Sequence, residues 1–448
     1  MRASPFGGFC VTMLVCVVCA NDARPEDVAP LSGDQTPDNR IVLEPATHFP
    51  MVRLSHGTNH AHANSSGSLF TITPYGSLWA NMVYATSRTS PGEFTFWVLS
   101  EEHQGEDAFT VDARRTRVGI DIDGPPLDWF GGLEIGGQVE LDFFGEFVTE
   151  NRAGARLRQA WWEARNDDYR LLIGQTWDVI SPLNPGTLNF SVGWNGGNIG
   201  FRRAQFRLER FLAVDDQTTV TLQTTVSQDI IADFSTDPGI RRETANWPVL
   251  QGRAALSFLN AENKNPKLTI GLSGHIGETG FDFLVPGPPP LSLPPADDVR
   301  FETWSWNVDV SMQFEKLTIQ GEFFHGANLS AFLGGIGQGV CPCLREPIHS
   351  TGGWLEAVYL WNSQWESHVG FGIDDPENDD SLLGRIRNQF VFGNLILHVT
   401  PGLHTGFEVT WWETDYHETR RGLIDPALLT PDAPGRAVTL EWMVRYDF

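Results

Sequence analysis

From Tyr75 to its last residue the chain repeats one pattern. About a dozen residues alternate between apolar and polar, and then the pattern breaks. Sixteen such segments begin near Tyr75, Phe109, Leu133, Ala155, Tyr169, Arg202, Thr218, Pro248, Pro266, Arg300, Leu317, Ser350, Gln364, Arg385, Leu403 and Arg436. A period of two is the signature of a strand, because successive side chains leave opposite faces. One face reads Leu133-Ile135-Val139-Leu141-Phe143 against Glu134-Gln138-Glu140-Asp142, another Trp365-Val369-Phe371-Ile373 against Glu366-His368-Gly370-Gly372. The final segment places Val438, Leu440, Trp442, Val444, Tyr446 and Phe448 on one face. A strand-like stretch at Glu93–Ser100 falls inside the first long break, and leaves either an in-loop strand or a count off by one or two.

The breaks alternate in length. Even ones are mostly short, such as Glu315-Lys316 and Pro401-Gly402. Odd ones, such as Gly280–Val299 and Leu329–His349, run to about twenty residues. A soluble sandwich has no reason to keep that alternation over so many hairpins. The pattern predicts an all-β chain, a transmembrane antiparallel β-barrel of about 16 strands with short periplasmic turns and long extracellular loops. The apolar face would meet lipid and the polar face a watery interior. The terminal aromatics Trp442, Tyr446 and Phe448 resemble the sorting signal that outer-membrane barrels present to their assembly machinery, so the expected location is the outer membrane of a Gram-negative-type bacterium.

Composition bears on this at few points. Met1–Ala20 has the single charge Arg2, the apolar run Phe9–Ala20 and the small-residue site Val18-Cys19-Ala20, which reads as a secretory signal. Removing it changes the net charge from −25 to −26, and an acidic chain argues against nucleic-acid binding. Of five cysteines only Cys341 and Cys343 then remain, open to a local disulfide or to two thiols. Asn21–Gly67 shows no lasting period and reads as a flexible periplasmic extension ahead of a barrel over 68–448. Its His56, His60 and His62 read as solvated rather than metal-binding, and Asp374–Asp380 as a solvated acidic loop rather than a Ca²⁺ site. Serines and histidines are scattered singly, so neither an enzyme nor a cofactor is expected.

Two features point to chemistry. Ser181–Gly200 carries no charge, two prolines and five glycines, unlike a loop bathed in water. It is the candidate constriction, shaped by Pro182, Asn184, Asn189, Phe190, Trp194 and Asn198. The neighbouring segments place arginines on the polar face: Arg115 and Arg117, Arg156 and Arg158, Arg203 and Arg207. An arginine facing lipid at the bilayer midplane costs ~2–4 kcal/mol, so these are expected to face the lumen, where a guanidinium fork suits carboxylates.

The pieces G-S-L-W-A-N-M-V-Y (76–84), R-T-R-V-G-I-D-I-D-G-P (115–125), G-Q-V-E-L-D-F-F-G (137–145), R-L-R-Q-A-W-W-E (156–163) and L-L-I-G-Q-T-W-D (171–178) resemble, in order, the DcaP-like trimeric outer-membrane porins. The resemblance implies a homotrimer of 16-stranded channels passing small organic anions, dicarboxylates included, with Arg115, Arg117, Arg156 and Arg158 lining the constriction. That family can carry an amino-terminal coiled coil; Asn21–Gly67 has no heptads. The expected function is a porin for passive diffusion of small anionic solutes. The alternative is a plugged structural or adhesive barrel whose loops bind a partner.

Overall fold

The computed structural model describes residues 70–448 apart from 102–105, 129–131, 146–152, 231–239, 244, 262, 264, 288–290, 382–383 and 418–432. The expected signal and the extension with His56, His60 and His62 lie outside the described residues. The wall strands are β1 Thr71–Ala85, β2 Ala108–Asp112 with Arg117–Asp123, β3 Glu134–Asp142, β4 Arg156–Arg165, β5 Tyr169–Trp177, β6 Arg202–Asp215, β7 Thr218–Ser227 and β8 Ile240–Glu243 with Val249–Leu259. They continue as β9 Pro266–Phe283, β10 Ala296–Gln313, β11 Leu317–Ala327, β12 His349–Leu360, β13 Trp365–Pro376, β14 Arg385–Thr400, β15 Leu403–Tyr416 and β16 Gly435–Asp447. Each pairs antiparallel with the next, and β16 pairs with β1, so the sheet closes on itself.

Closure leaves no edge, which is the condition for a sheet to cross a bilayer. The register at the seam runs from Ser77 opposite Asp447 to Ala85 opposite Thr439. Expected and observed strand starts agree within four residues, taking the longer piece of β8. Two strands are interrupted. In β2 the break at 113–116 lifts Arg115 out of the strand in which alternation had placed it; in β8 a short upper piece pairs with the end of β9. The stretch at Glu93–Ser100 is an in-loop hairpin, Thr89–Pro91 against Thr95–Val98, so it adds nothing to the wall.

Polarity is inverted relative to a soluble protein. Leu78, Phe206, Leu272, Val369, Phe371 and Phe407 are exposed on the outer face, whereas Asn81, Gln205, Asn307, Asp309, Glu322 and Glu408 are buried inside. A belt of outward apolar side chains on a closed barrel is a lipid-facing surface. Much of the apolar packing inside the barrel involves loops, while Phe390, Phe392, Trp412 and Ala437 contribute a cluster from the wall itself. Phe94 and Phe96 of the in-loop hairpin meet Phe144, Phe190, Val192, Trp194 and Leu333; Ile180 and Ile199 meet Leu329 and Phe332.

Candidate functional site in the barrel lumen

The segment 178–201 between β5 and β6 enters the lumen. Its two ends are tied together: the Asp178 N–H donates to Phe201 O (2.8 Å), and the Phe201 N–H to Asp178 Oδ2 (2.9 Å). From that base the chain reaches strands on the opposite wall, where three inward carboxylates accept its main-chain N–H groups. Leu183 donates to Glu322 Oε1 (2.7 Å) on β11, Gly186 to Glu356 Oε2 (2.8 Å) on β12, and Leu188 to Glu408 Oε2 (2.6 Å) on β15. The Thr187 hydroxyl takes the other oxygen of Glu408 (2.6 Å). Asn394 and Asn388 on β14 donate to Gly186 O (2.8 Å) and Asn195 O (2.7 Å). A charge-free segment suits this role, since buried carboxylates need donors and an added acid would repel them.

The side chains expected to shape the segment mostly build it. Asn189 exchanges hydrogen bonds with the Thr95 main chain (2.9 and 3.1 Å), and Asn198 donates to Val192 O (2.8 Å) and Asn184 Oδ1 (3.0 Å). The Phe190 ring lies 4.1 Å from Phe144, and Trp194 lies 5.3 Å from Phe201. Pro182 and Asn184 instead line a cavity of about 180 Å³ beside β5–β8, together with Trp177, Arg170, Arg207 and Arg253.

Facing the segment on β2–β6 is a basic wall. Arg158 donates to Glu140 Oε1 (2.7 Å) and Asp142 Oδ2 (2.8 Å); Arg156 grips Asp142 through two nitrogens (3.0 and 2.6 Å). Arg115 donates to Leu188 O, and its guanidinium lies 3.9 Å from the Trp79 ring. Arg117 and Arg202 make no ion pair among the described residues, and each keeps a buried nitrogen without a hydrogen-bond partner. These five arginines face Glu140 and Asp142; Arg445 adds a sixth positive charge nearby and Glu441 and Glu408 two further acids, a surplus of 6 − 4 = 2 positive charges. Glu134, expected on the same inward face, is exposed at the far end of β3. Arg203 and Arg207 are spent locally. Arg203 pairs with Asp178 (2.7 Å) and donates to Ala331 O (3.1 Å); Arg207 meets Gln205 (3.1 Å) and Glu209 (3.4 Å).

Arg202 escaped the sequence reading because alternation assigns it to the outward face of Ala204, Phe206 and Leu208. At the strand's end it turns inward, its guanidinium 4.7 Å from the Trp177 and Phe201 rings. Glu322, Glu356 and Glu408 escaped it because nothing local marks an inward acid as a loop anchor.

At the seam, the Phe448 N–H donates to Gly76 O (3.0 Å), and Trp442, Tyr446 and Phe448 are exposed on the lipid side. Of the acids in 374–380, Asp374 on β13 accepts from Ser350 and Ile336, and Asp380 from His349. Among the described residues one trio of carboxylates, Glu243, Asp282 and Asp297, is close enough to share a cation, with Arg241 and Arg300 beside it. The Cys341 and Cys343 Sγ atoms lie 2.8 Å apart, buried.

No protein-family model and no curated protein sequence matches this chain. Solved structures do. The outer membrane channel DcaP of Acinetobacter baumannii superposes with a TM-score of 0.66 at 16% identity, over 86% of this chain and 99% of that one. The fold is that of a bacterial outer-membrane porin. An anion-selective porin from Comamonas acidovorans matches at 0.53 and 11% identity over 85% and 100% of the two chains. Outer-membrane expressed OmpT of Vibrio cholerae matches at 0.50 and 10% over 86% and 99%. At these identities the likeness to each porin is one of fold.

Proposed function

We propose that the protein is an outer-membrane porin through which small anionic solutes, dicarboxylates among them, diffuse passively. One observation carries the reading: the two walls beside the inward segment differ in available charge. Glu322, Glu356 and Glu408 are occupied by the segment's own main chain. The facing wall has more arginine than carboxylate, and Arg117 and Arg202 have no ionic partner there among the described residues. The overall charge of −25 favours cations. Exposed charges are screened beyond ~8–10 Å at physiological salt, so the narrow point governs selectivity. The resemblance that suggests the solute class also suggests a homotrimer, which native mass in detergent tests.

The measurement is the reversal potential of the purified protein in planar bilayers under a salt gradient. The wild type is expected to prefer anions, and Arg117→Gln with Arg202→Gln to lower the anion-to-cation permeability ratio about twofold or more. Replacing Arg158 is less clean, because it also releases Glu140 and Asp142. A cation-selective wild type would overturn the reading. A second reading, a plugged adhesive barrel, is favoured by the aromatic packing of Phe94, Phe96, Phe144, Phe190 and Trp194 inside the barrel; absence of any current would favour it.

A further inference from the structure

Beneath the inward segment a line of titratable groups runs across five adjacent strands toward the short-turn end. Glu356 on β12 presents Oε2 to His368 Nδ1 on β13 (3.5 Å), and that same oxygen accepts the Gly186 N–H. His368 Nε2 faces Glu366 Oε1 (3.7 Å), which also faces His398 Nε2 on β14 (3.4 Å). The Nδ1 atoms of His398 and His404, the latter on β15, are 2.7 Å apart. His404 Nε2 faces Asp447 on β16 (3.4 Å), whose other oxygen accepts from Arg445 (2.6 Å). Neighbouring groups close the surroundings: Gln320 on β11 donates to Glu356 (2.6 Å), and Asn394 donates to Glu408 (3.0 Å) and Gly186 O.

We propose that this line is a proton-operated tether for the inward segment. Two imidazole nitrogens in hydrogen-bond contact need one N–H and one lone pair, so the His398–His404 contact exists only while one Nδ1 is bare. A second proton puts two N–H groups face to face, and the contact is lost. The freed imidazolium rings turn to their carboxylates, His398 to Glu366 and His404 to Asp447. Glu366 then draws away from His368, whose ring, now 3.5 Å from Glu356 Oε2 and hydrogen-bonded at neither nitrogen, closes on that oxygen and crowds the Gly186 N–H. No slack exists at that point: a Cβ built on Gly186 would lie 2.2 Å from His368 Nδ1. Proton uptake near the short turn therefore loosens the segment where it crosses the lumen.

The electrical test rests on the channel reading; a second readout does not. In planar bilayers the wild type is expected to change its mean conductance about twofold between pH 8 and pH 5, because a released segment no longer holds one position in the bore. The double variant His398→Gln with His404→Gln should hold its conductance across that range. Hydrogen exchange of the 186–188 amides, expressed as protection factors, should fall about tenfold at pH 5 in the wild type and stay level in the variant. An equal pH response in both proteins, or unchanged protection in the wild type, would overturn the tether. No current at any pH would overturn the channel reading, while the exchange measurement still decides the tether.

Discussion

Gly197 shows what a single position can decide. Its φ is +123°, and a Cβ there would sit 2.2 Å from Gly353 O on β12, so the inward segment approaches the wall with backbone against backbone. Both the conformation and the space exclude a side chain. Gly197→Val is therefore expected to lower stability by about 2 kcal/mol or more, read as a drop in the midpoint of heat modification on a gel. An unchanged midpoint would mean that the segment is held elsewhere. Arg202 marks the limit of reading residues one at a time. Period-two alternation puts Arg158 on the face of Arg156, and Arg158 lies inside a regular strand whose neighbours Glu140 and Asp142 it meets. Alternation alone does not find Arg202, which begins its strand and turns toward the Trp177 and Phe201 rings.

At the scale of elements, the segment's hold on the opposite wall is polar and therefore separable by mutation. Glu408 accepts from Thr187 and Leu188 of the segment and from Asn394 and Thr410 of the wall, so Glu408→Ala strands four donors, two of them on the segment, at about 1–3 kcal/mol for each that stays buried and unpaired. The expected result is faster proteolysis within 181–200 and noisier single-channel current. Glu408→Gln, which keeps one carbonyl acceptor, should fall between. Protection equal to wild type in Glu408→Ala would remove Glu408 from the anchor set. The wall itself was legible in the sequence because a strand's period is local: β5, β9 and β15 begin where alternation begins. The anchors were not, because Leu183–Glu322, Gly186–Glu356 and Leu188–Glu408 join residues 139, 170 and 220 positions apart. What could be read was the segment's lack of charge, which is the donor half of those contacts.

At the scale of the whole molecule, closure depends on the seam between the first and last strands. Phe448 contributes the last rung, exchanging hydrogen bonds with Gly76, and its ring lies where a Cβ on Gly76 would come within 2.6 Å. Deleting Phe448 should cut the amount of heat-modifiable barrel in outer membranes several-fold, through loss of both the rung and the proposed sorting signal. Wild-type levels of the deletion would dismiss the signal and leave the barrel standing. Recovery of the intact protein as a soluble species would remove the transmembrane reading itself.

The inward segment has a mechanical consequence as well. A hollow cylinder one sheet thick resists stretching along its hydrogen bonds far better than flattening, since flattening only bends the sheet. This cylinder has a cross-beam: from a base at Asp178 and Phe201 the chain reaches β11, β12, β14 and β15 through bonds of 2.6–2.8 Å. Squeezing the barrel along that diameter must buckle the beam, and widening it must pull the bonds apart. The bore's shape under the lateral pressure of a bilayer is thus set by a single covalent span, so that cutting that span would change the compliance of the cylinder before it changed its strand count.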